Sequence, residues 1–236
     1  MYFGDALDDR FQRTEKLFGE NSVSLLSTKK VILFGLGGVG GAAFEALVRG
    51  AVGTVAVVDK DVVDITNINR QLLATEATVG MLKTDAAFER AKVINPEANI
   101  IRFPLFYLPE NANLIDLSEY DYVIDAIDNV SAKTELIKRA KEQNVPVISC
   151  MGTGNKIHPE LLTISDISKT SVCPLARAMR RNLKAVGIEH LDVVYSKETP
   201  FSVSAGRTPS SNSFVPPVAG YLLSSVVITN LLKEGT

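Results

Sequence analysis

The sequence predicts an α/β protein built on a Rossmann-like, doubly wound, mainly parallel sheet, extended by further strands in its C-terminal part. Three observations carry this prediction. Short apolar, β-branched runs alternate with stretches of helical pattern through residues 31–149, as in successive strand–helix–strand units. Gly35, Gly37 and Gly40 directly follow the first run and open the helical stretch after it. Asp59 closes the second run, where a Rossmann acid accepts hydrogen bonds from ribose hydroxyls.

In chain order, residues 8–18 read as a short helix with Phe11, Leu17 and Phe18 as its apolar contacts, ended by Gly19 and Asn21. A short apolar piece at 23–26 leads into a strand at 31–34. The glycine turn opens a helix over 38–49, stopped by Gly50 and Gly53. Residues 54–58, Thr-Val-Ala-Val-Val, form the β-branched run expected of a strand covered on both faces. A helix at 83–93 ends near Asn95-Pro96, followed by a strand at 100–103 and a helical or irregular stretch over 109–117. A strand at 122–124 runs into Asp125-Ala-Ile-Asp128-Asn129, then a helix over 132–143 and a strand over 145–149.

Past Gly152 the pattern changes. Residues 161–165 and 192–196 read as strands, with a helix between them from 174 to 186 and Gly187 placed to stop it. Residues 205–213 form a Gly/Ser/Pro loop before a last helix over 217–232. No linker interrupts the chain. We read one continuous domain with a helical arm (1–28), a nucleotide-binding core (29–154) and a sheet extension carrying a basic helix, a loop and an interface helix (155–236).

Composition narrows the classes of function. With 236 residues, 46% apolar and 22% charged, the chain can bury a large core. A net charge of −2 argues against a globally basic nucleic-acid coat and leaves room for a local basic face. Two cysteines, Cys150 and Cys173, and no signal-peptide pattern point to a reducing, cytoplasmic setting. No Cys-x-x-Cys pair is present, so a structural zinc site is not expected. Residues 208–232 carry no charge, but Pro216 and Pro217 interrupt their start, and the helical part falls short of the roughly 20 residues of a membrane span. A buried core or subunit-interface helix is the reading.

Gly35, Gly37, Gly38 and Gly40 bring backbone N–H groups and a helix N-terminus to a phosphate. Any Rossmann-type domain could carry that turn, and Asp59 serves NAD as well as ATP. Asp61, Asn67, Arg70 and Gln71 discriminate. A diphosphate already cradled by backbone amides needs no second set of donors; a triphosphate does. Lys83 begins a helix after the Val79-Gly80 turn, either as an ordinary solvated lysine or reaching the α- or β-phosphate. Asp128 lies past the carboxyl end of a strand, either as a helix N-cap or as a ligand of Mg2+ on phosphate oxygens.

Together these residues resemble the ThiF/HesA/MoeB-type adenylyltransferases related to ubiquitin-activating enzymes. The resemblance runs over Arg10-Phe-Gln-Arg13, Gly35–Gly40, Asp59-Lys-Asp61, Asn67-Ile-Asn-Arg70-Gln71, Val79–Lys83, Ile94-Asn95-Pro96 and Asp125–Asn129. It implies ATP chemistry at the α-phosphate, with Asp59 on the ribose, Asn67, Arg70, Gln71 and Lys83 on the triphosphate, and Asp128 on Mg2+. It further implies that Arg13 reaches the other protomer's nucleotide, hence a homodimer.

The second half resembles the branch that cyclises threonylcarbamoyladenosine in tRNA, through Asp166-Ile-Ser-Lys169-Thr, Pro174-Leu-Ala-Arg177, Val194–Glu198 and Ser213–Gly220. That branch implies adenylation of the base's threonyl carboxylate, then closure of a ring with loss of AMP. The alternative is activation of the C-terminal glycine of a ubiquitin-like sulfur carrier, and a sulfur-pathway protein is a candidate partner on either view. Arg177, Arg180, Arg181 and Lys184 share one broad helix face with no acid between them, which suits tRNA phosphates as well as it suits plain solvation. Arg207 in the loop adds a candidate contact. Cys173 reads as a small residue without a catalytic role, against a thioester or persulfide cysteine, because no activating base is assignable from sequence. Cys150, closing a strand, reads as core.

Overall fold

The computed structural model describes residues 9–201 and 209–233. Strands β1 (Lys30–Phe34), β2 (Thr54–Val58), β3 (Asn99–Phe103), β4 (Tyr122–Asp125), β5 (Val147–Cys150), β6 (Leu162–Asp166) and β7 (Asp192–Ser196) form one seven-stranded sheet in the order β3-β2-β1-β4-β5-β7-β6. All neighbours pair in parallel except β6, which runs antiparallel to β7 at the edge. The sheet is therefore the predicted doubly wound one, continued by a mixed C-terminal edge.

Strand alternation divides the core between the two faces. Val31 and Leu33 of β1 point to one side, under α3 (Gly38–Arg49), α4 (Lys83–Ile94) and α7 (Val215–Lys233). Ile32 and Phe34 point to the other, under α5 (Val130–Glu142) and α6 (Pro174–Ala185). Leu47, Leu136 and Leu183 are fully buried in these layers, each worth about 1.5–3 kcal/mol of transfer free energy.

Among the described residues α7 is the one helix long and apolar enough to cross a membrane. It instead lies along α3, where a Cβ at Gly220 would stand 2.2 Å from the Val39 carbonyl oxygen. It also begins earlier than expected, at Val215, since prolines in a first helical turn forfeit N–H groups that have no intrahelical partner. Conversely β5 begins only at Val147, because Pro146 cannot donate to the ladder.

The N-terminal segment departs from expectation. Helix α1 (Gln12–Phe18) buries none of its residues. Leu17 and Phe18 are exposed, and only Phe11 before the helix packs inward, against Val23 of α2 (Ser22–Thr28) and Ala51. Two helical turns anchored at their start by Phe11 and by Arg10, whose Nη1 donates to Ile94 O at 3.0 Å, leave their far end in solvent.

Candidate nucleotide site

The strand order reverses between β1 and β4, and a cleft of about 690 Å³ opens at their carboxyl ends, as expected of an open α/β sheet. Gly35 leaves β1 with φ +90°, a backbone region that disfavours side chains. A Cβ at Gly40 would collide with the Gly35 carbonyl oxygen at 1.7 Å, so the turn closes only over glycine. Gly37 is the N-cap of α3, makes no side-chain cap and has nothing within 4 Å of where a Cβ would sit. That empty space faces the cleft, leaving the unpaired N–H groups of the first turn of α3 to an anion.

Asp59 ties the turn to the second strand. One carboxylate oxygen accepts from the Leu36 N–H at 2.6 Å and the other from the Asp61 N–H at 2.8 Å. Each oxygen keeps further acceptor capacity, and Asp59 lines the cleft. Lys83 is not an ordinary solvated lysine: its side chain is 7% exposed and its Nζ lies 2.9 Å from Asp61 Oδ2. Between them, a 3-10 turn over Ile65–Asn67 is capped by Asp64, and Asn67 returns its side-chain oxygen to the Asp64 N–H at 3.2 Å. The Asn67 amide nitrogen has no partner among the described residues. Among the described residues Arg70 spends only Nη1, on Thr66 O at 3.0 Å and Asn69 Oδ1 at 2.8 Å. The cleft thus gathers Gly35, Gly37, Gly38, Asp59, Asp61, Asn67, Arg70, Gln71, Lys83 and Asp128. Gly40 lies beneath the turn rather than on it.

Asp128 is freed for the cleft by its neighbour. Asn129 takes the N-cap of α5, its Oδ1 accepting from the Ala132 N–H at 3.0 Å, and Asp128 makes no side-chain bond among the described residues. Beneath it runs a buried network that sequence reasoning missed. Lys133 Nζ stands 2.7 Å from Asp125 Oδ2 and donates to the carbonyls of Ile127 at 3.0 Å and Cys150 at 2.9 Å. Ser149 Oγ donates to the same Asp125 oxygen at 2.5 Å, and the Ile127 N–H to the other at 3.1 Å. One ammonium therefore joins the ends of β4 and β5 to the residue before Asp128. A lysine in the first turns of a helix looks like surface in sequence, and only tertiary placement buries it.

Across the cleft, Leu105, Phe106 and Tyr107 form an apolar wall, with Lys60 Nζ 4.0 Å from the Phe106 ring centroid. Beyond β5, Gly152, Thr153 and Gly154 also line the cleft. This is a second glycine-bearing segment after a strand, a signal present in the sequence that the first such segment overshadowed. Behind it Lys156 is buried and donates to the Gly152 carbonyl at 2.9 Å. Burial pushes its pKa down, against the opposing influence of Cys173, Glu198 and Cys150. Both cysteines are buried, and burial pushes the Cys150 thiol up to about 12.

The remaining candidates lie elsewhere. Arg177, Arg181 and Lys184 are exposed on α6, whose first-turn Leu175 lines the cleft. Arg180 leaves that group: Nη1 donates to Thr170 O at 2.9 Å and to the Thr170 hydroxyl, which holds the loop after β6 against α6. Its arm is bent inward by two buried acceptors, which helical spacing alone does not reveal. Arg13 is exposed and does not line the cleft of its own chain. Arg207 lies outside the described residues.

Fold and cleft together define a Rossmann-like nucleotide-binding α/β protein. The chain belongs to the ThiF family, whose model matches residues 11–233. It is similar to the tRNA threonylcarbamoyladenosine dehydratase of Bacillus subtilis (strain 168), with 39% identity over 95% of each chain. The crystal structure of the E. coli tRNA N6-threonylcarbamoyladenosine dehydratase in complex with AMP superimposes with a TM-score of 0.92 at 31% identity, covering 100% of this chain and 98% of that one. The same E. coli protein in complex with ATP gives 0.89 at 31% identity, with the same coverage.

Proposed function

We propose that this protein is an ATP-dependent tRNA threonylcarbamoyladenosine dehydratase: it adenylates the threonyl carboxylate of the modified base and closes it into a ring. The observation that carries the reading is the cleft itself. A glycine turn and helix N-terminus meet a second, side-chain set of phosphate donors, Asn67, Arg70 and Lys83, within one cavity, and relatives of nearly full coverage carry that activity in their names.

On this reading the adenine lies along the wall of Leu105–Tyr107 and the ribose on the free lone pairs of Asp59. The α-phosphate faces the N–H groups of α3, and Asn67, Arg70, Gln71 and Lys83 hold the triphosphate. A carboxylate oxygen of the substrate attacks the α-phosphorus as the bond to the bridging oxygen breaks, and pyrophosphate leaves. A nucleophilic atom of the same modified base then attacks the activated carbonyl carbon, gives up its proton and expels AMP. The ring closes without an enzyme thiol, consistent with two buried cysteines. Holding both groups of one substrate in place supplies the acceleration of that step.

Asp128, a free carboxylate on the cleft, fits a hard cation, and among the described residues no cluster of three or more metal-ligating side chains competes with it. Mg2+ bound there would neutralise charge on the phosphate oxygens. Arg177, Arg181 and Lys184 would take tRNA phosphates, leading the substrate along α6 toward Leu175 at the cleft. We place the enzyme in the cytoplasm as a homodimer in which Arg13 completes the partner's site, with a sulfur-pathway protein as a candidate further partner.

The test is AMP and pyrophosphate formation from labelled ATP. It should require tRNA bearing threonylcarbamoyladenosine. Formation driven by a Gly-Gly-ended carrier protein, and not by that tRNA, overturns the reading in favour of sulfur-carrier activation.

A further inference from the structure

We propose that Gly152, Thr153 and Gly154 form an oxyanion-binding subsite, with Lys156 as its positioning residue, that receives the carboxylate oxygen of the substrate and then the acyl-adenylate's carbonyl oxygen. The inference rests on the dehydratase reading and specifies where that site binds its acceptor.

Three observations carry it. The N–H groups of Gly152, Thr153 and Gly154 donate to nothing among the described residues, although Met151 before them and Asn155 after them are both bonded, to Val194 O and Ser210 O at 2.8 Å each. All three residues line the cleft. Their N–H directions follow from the carbonyls. The described peptides are all trans, so each C=O points opposite the N–H that follows it. The Met151 carbonyl accepts from Cys150 Sγ at 3.3 Å, and the Gly152 carbonyl accepts from the buried Lys156 Nζ at 2.9 Å. Both carbonyls turn into the protein, which turns the N–H groups of Gly152 and Thr153 away from it, toward the cleft.

The support behind this loop is built to hold it. The Ile157 and His158 N–H groups donate to Glu198 at 2.9 and 3.0 Å, and Asn212 Nδ2 donates to Lys156 O at 2.7 Å. Lys156 therefore sits in a fixed frame, with its ammonium on the far side of one peptide whose N–H faces the reacting group. Aligned backbone donors of this kind stabilise negative charge that develops on an oxygen and require no reorganisation as it forms. The glycine turn after β1 would hold the phosphates, and this second segment after β5 the acyl oxygen, across one cavity.

The direct test uses the unmodified protein. In 15N-labelled enzyme, AMP should move the amide signals of Gly37 and Gly38 and leave those of Gly152 and Thr153 in place. A non-hydrolysable sulfamoyl analogue of the N-carbamoylthreonyl adenylate should in addition move Gly152 and Thr153 downfield. Gly37 and Gly38 moving with the analogue while Gly152 and Thr153 stay still overturns the subsite and leaves the nucleotide reading intact. Silence at all four overturns both.

Lys156→Met gives the kinetic counterpart. ATP affinity should stay within about threefold while kcat for tRNA-dependent AMP formation falls by at least about tenfold, with partial recovery in Lys156→Arg. An unchanged kcat in Lys156→Met removes its positioning role.

Discussion

Lys133 and Asp125 meet at 2.7 Å with both side chains fully buried, and the ammonium also holds the carbonyls of Ile127 and Cys150. The pair lies directly below Asp128, so it sets where the candidate metal ligand stands. Lys133→Met should cost about 3–5 kcal/mol, since it strands a buried carboxylate. The double variant Asp125→Asn/Lys133→Met should cost less than the single one. Chemical denaturation measures both, and a Lys133→Met protein of unchanged midpoint contradicts the assignment.

Arg70, Lys83 and Asp128 face one cleft from three separate segments. Replacing any of them with Ala should lower AMP formation by about 100-fold or more, with far-UV circular dichroism unchanged. Wild-type turnover in all three would remove the triphosphate assignment.

Arg13 is exposed and does not line its own chain's cleft. If it completes a partner's site, mixing Arg13→Ala with Arg70→Ala protomers should restore activity, because one site in each heterodimer is intact. Verified heterodimers without recovery would count against a shared site.

Glu45 accepts from Arg49 Nη2 at 2.7 Å and from Arg90 Nε and Nη2 at 2.8 Å each, joining α3 to α4. Burial alone would raise its pKa, but the hydrogen bonds from Arg90 and Arg49 outweigh it and hold the carboxyl below its ordinary 4.5. The folded carboxylate binds its proton less readily than the unfolded one. Its stabilisation is therefore full above pH 4.5 and is lost as pH falls through the lower folded value. Glu45→Gln should cost about 1–3 kcal/mol at neutral pH and much less in acid. Equal losses at both pH values in urea titrations contradict this.

Arg177, Arg181 and Lys184 are exposed on α6 and unpaired among the described residues, whereas Arg180 is spent on Thr170. Replacing the three exposed cations with Ala should reduce the salt dependence of tRNA binding, by about one unit of log–log slope for each phosphate left without its cation. Arg180→Ala should lower stability and leave that slope nearly unchanged. A slope that falls as much for Arg180 as for its neighbours would return it to the binding face.

Much of this was legible in the chain. The spans 38–49, 54–58 and 192–196 read directly as α3, β2 and β7, because local period, glycine stops and tertiary burial agree there. That Asp61, Asn67, Arg70, Gln71 and Lys83 gather on one cleft was legible because their types are unusual at those positions. What stayed hidden depends on direction rather than type. Lys133 resembles any helix-surface lysine until β4 and β5 close over it. Arg180 shares its spacing with Arg177 and Lys184 yet bends toward Thr170. Leu17 and Phe18 look like core, but two turns of helix held by Phe11 cannot bring them inward.

The most direct measurement is mass spectrometry of the modified nucleoside from threonylcarbamoyladenosine-bearing tRNA incubated with the protein, ATP and Mg2+. The account predicts loss of one water from that nucleoside, matched mole for mole by AMP. A nucleoside of unchanged mass under conditions where the protein consumes ATP contradicts it.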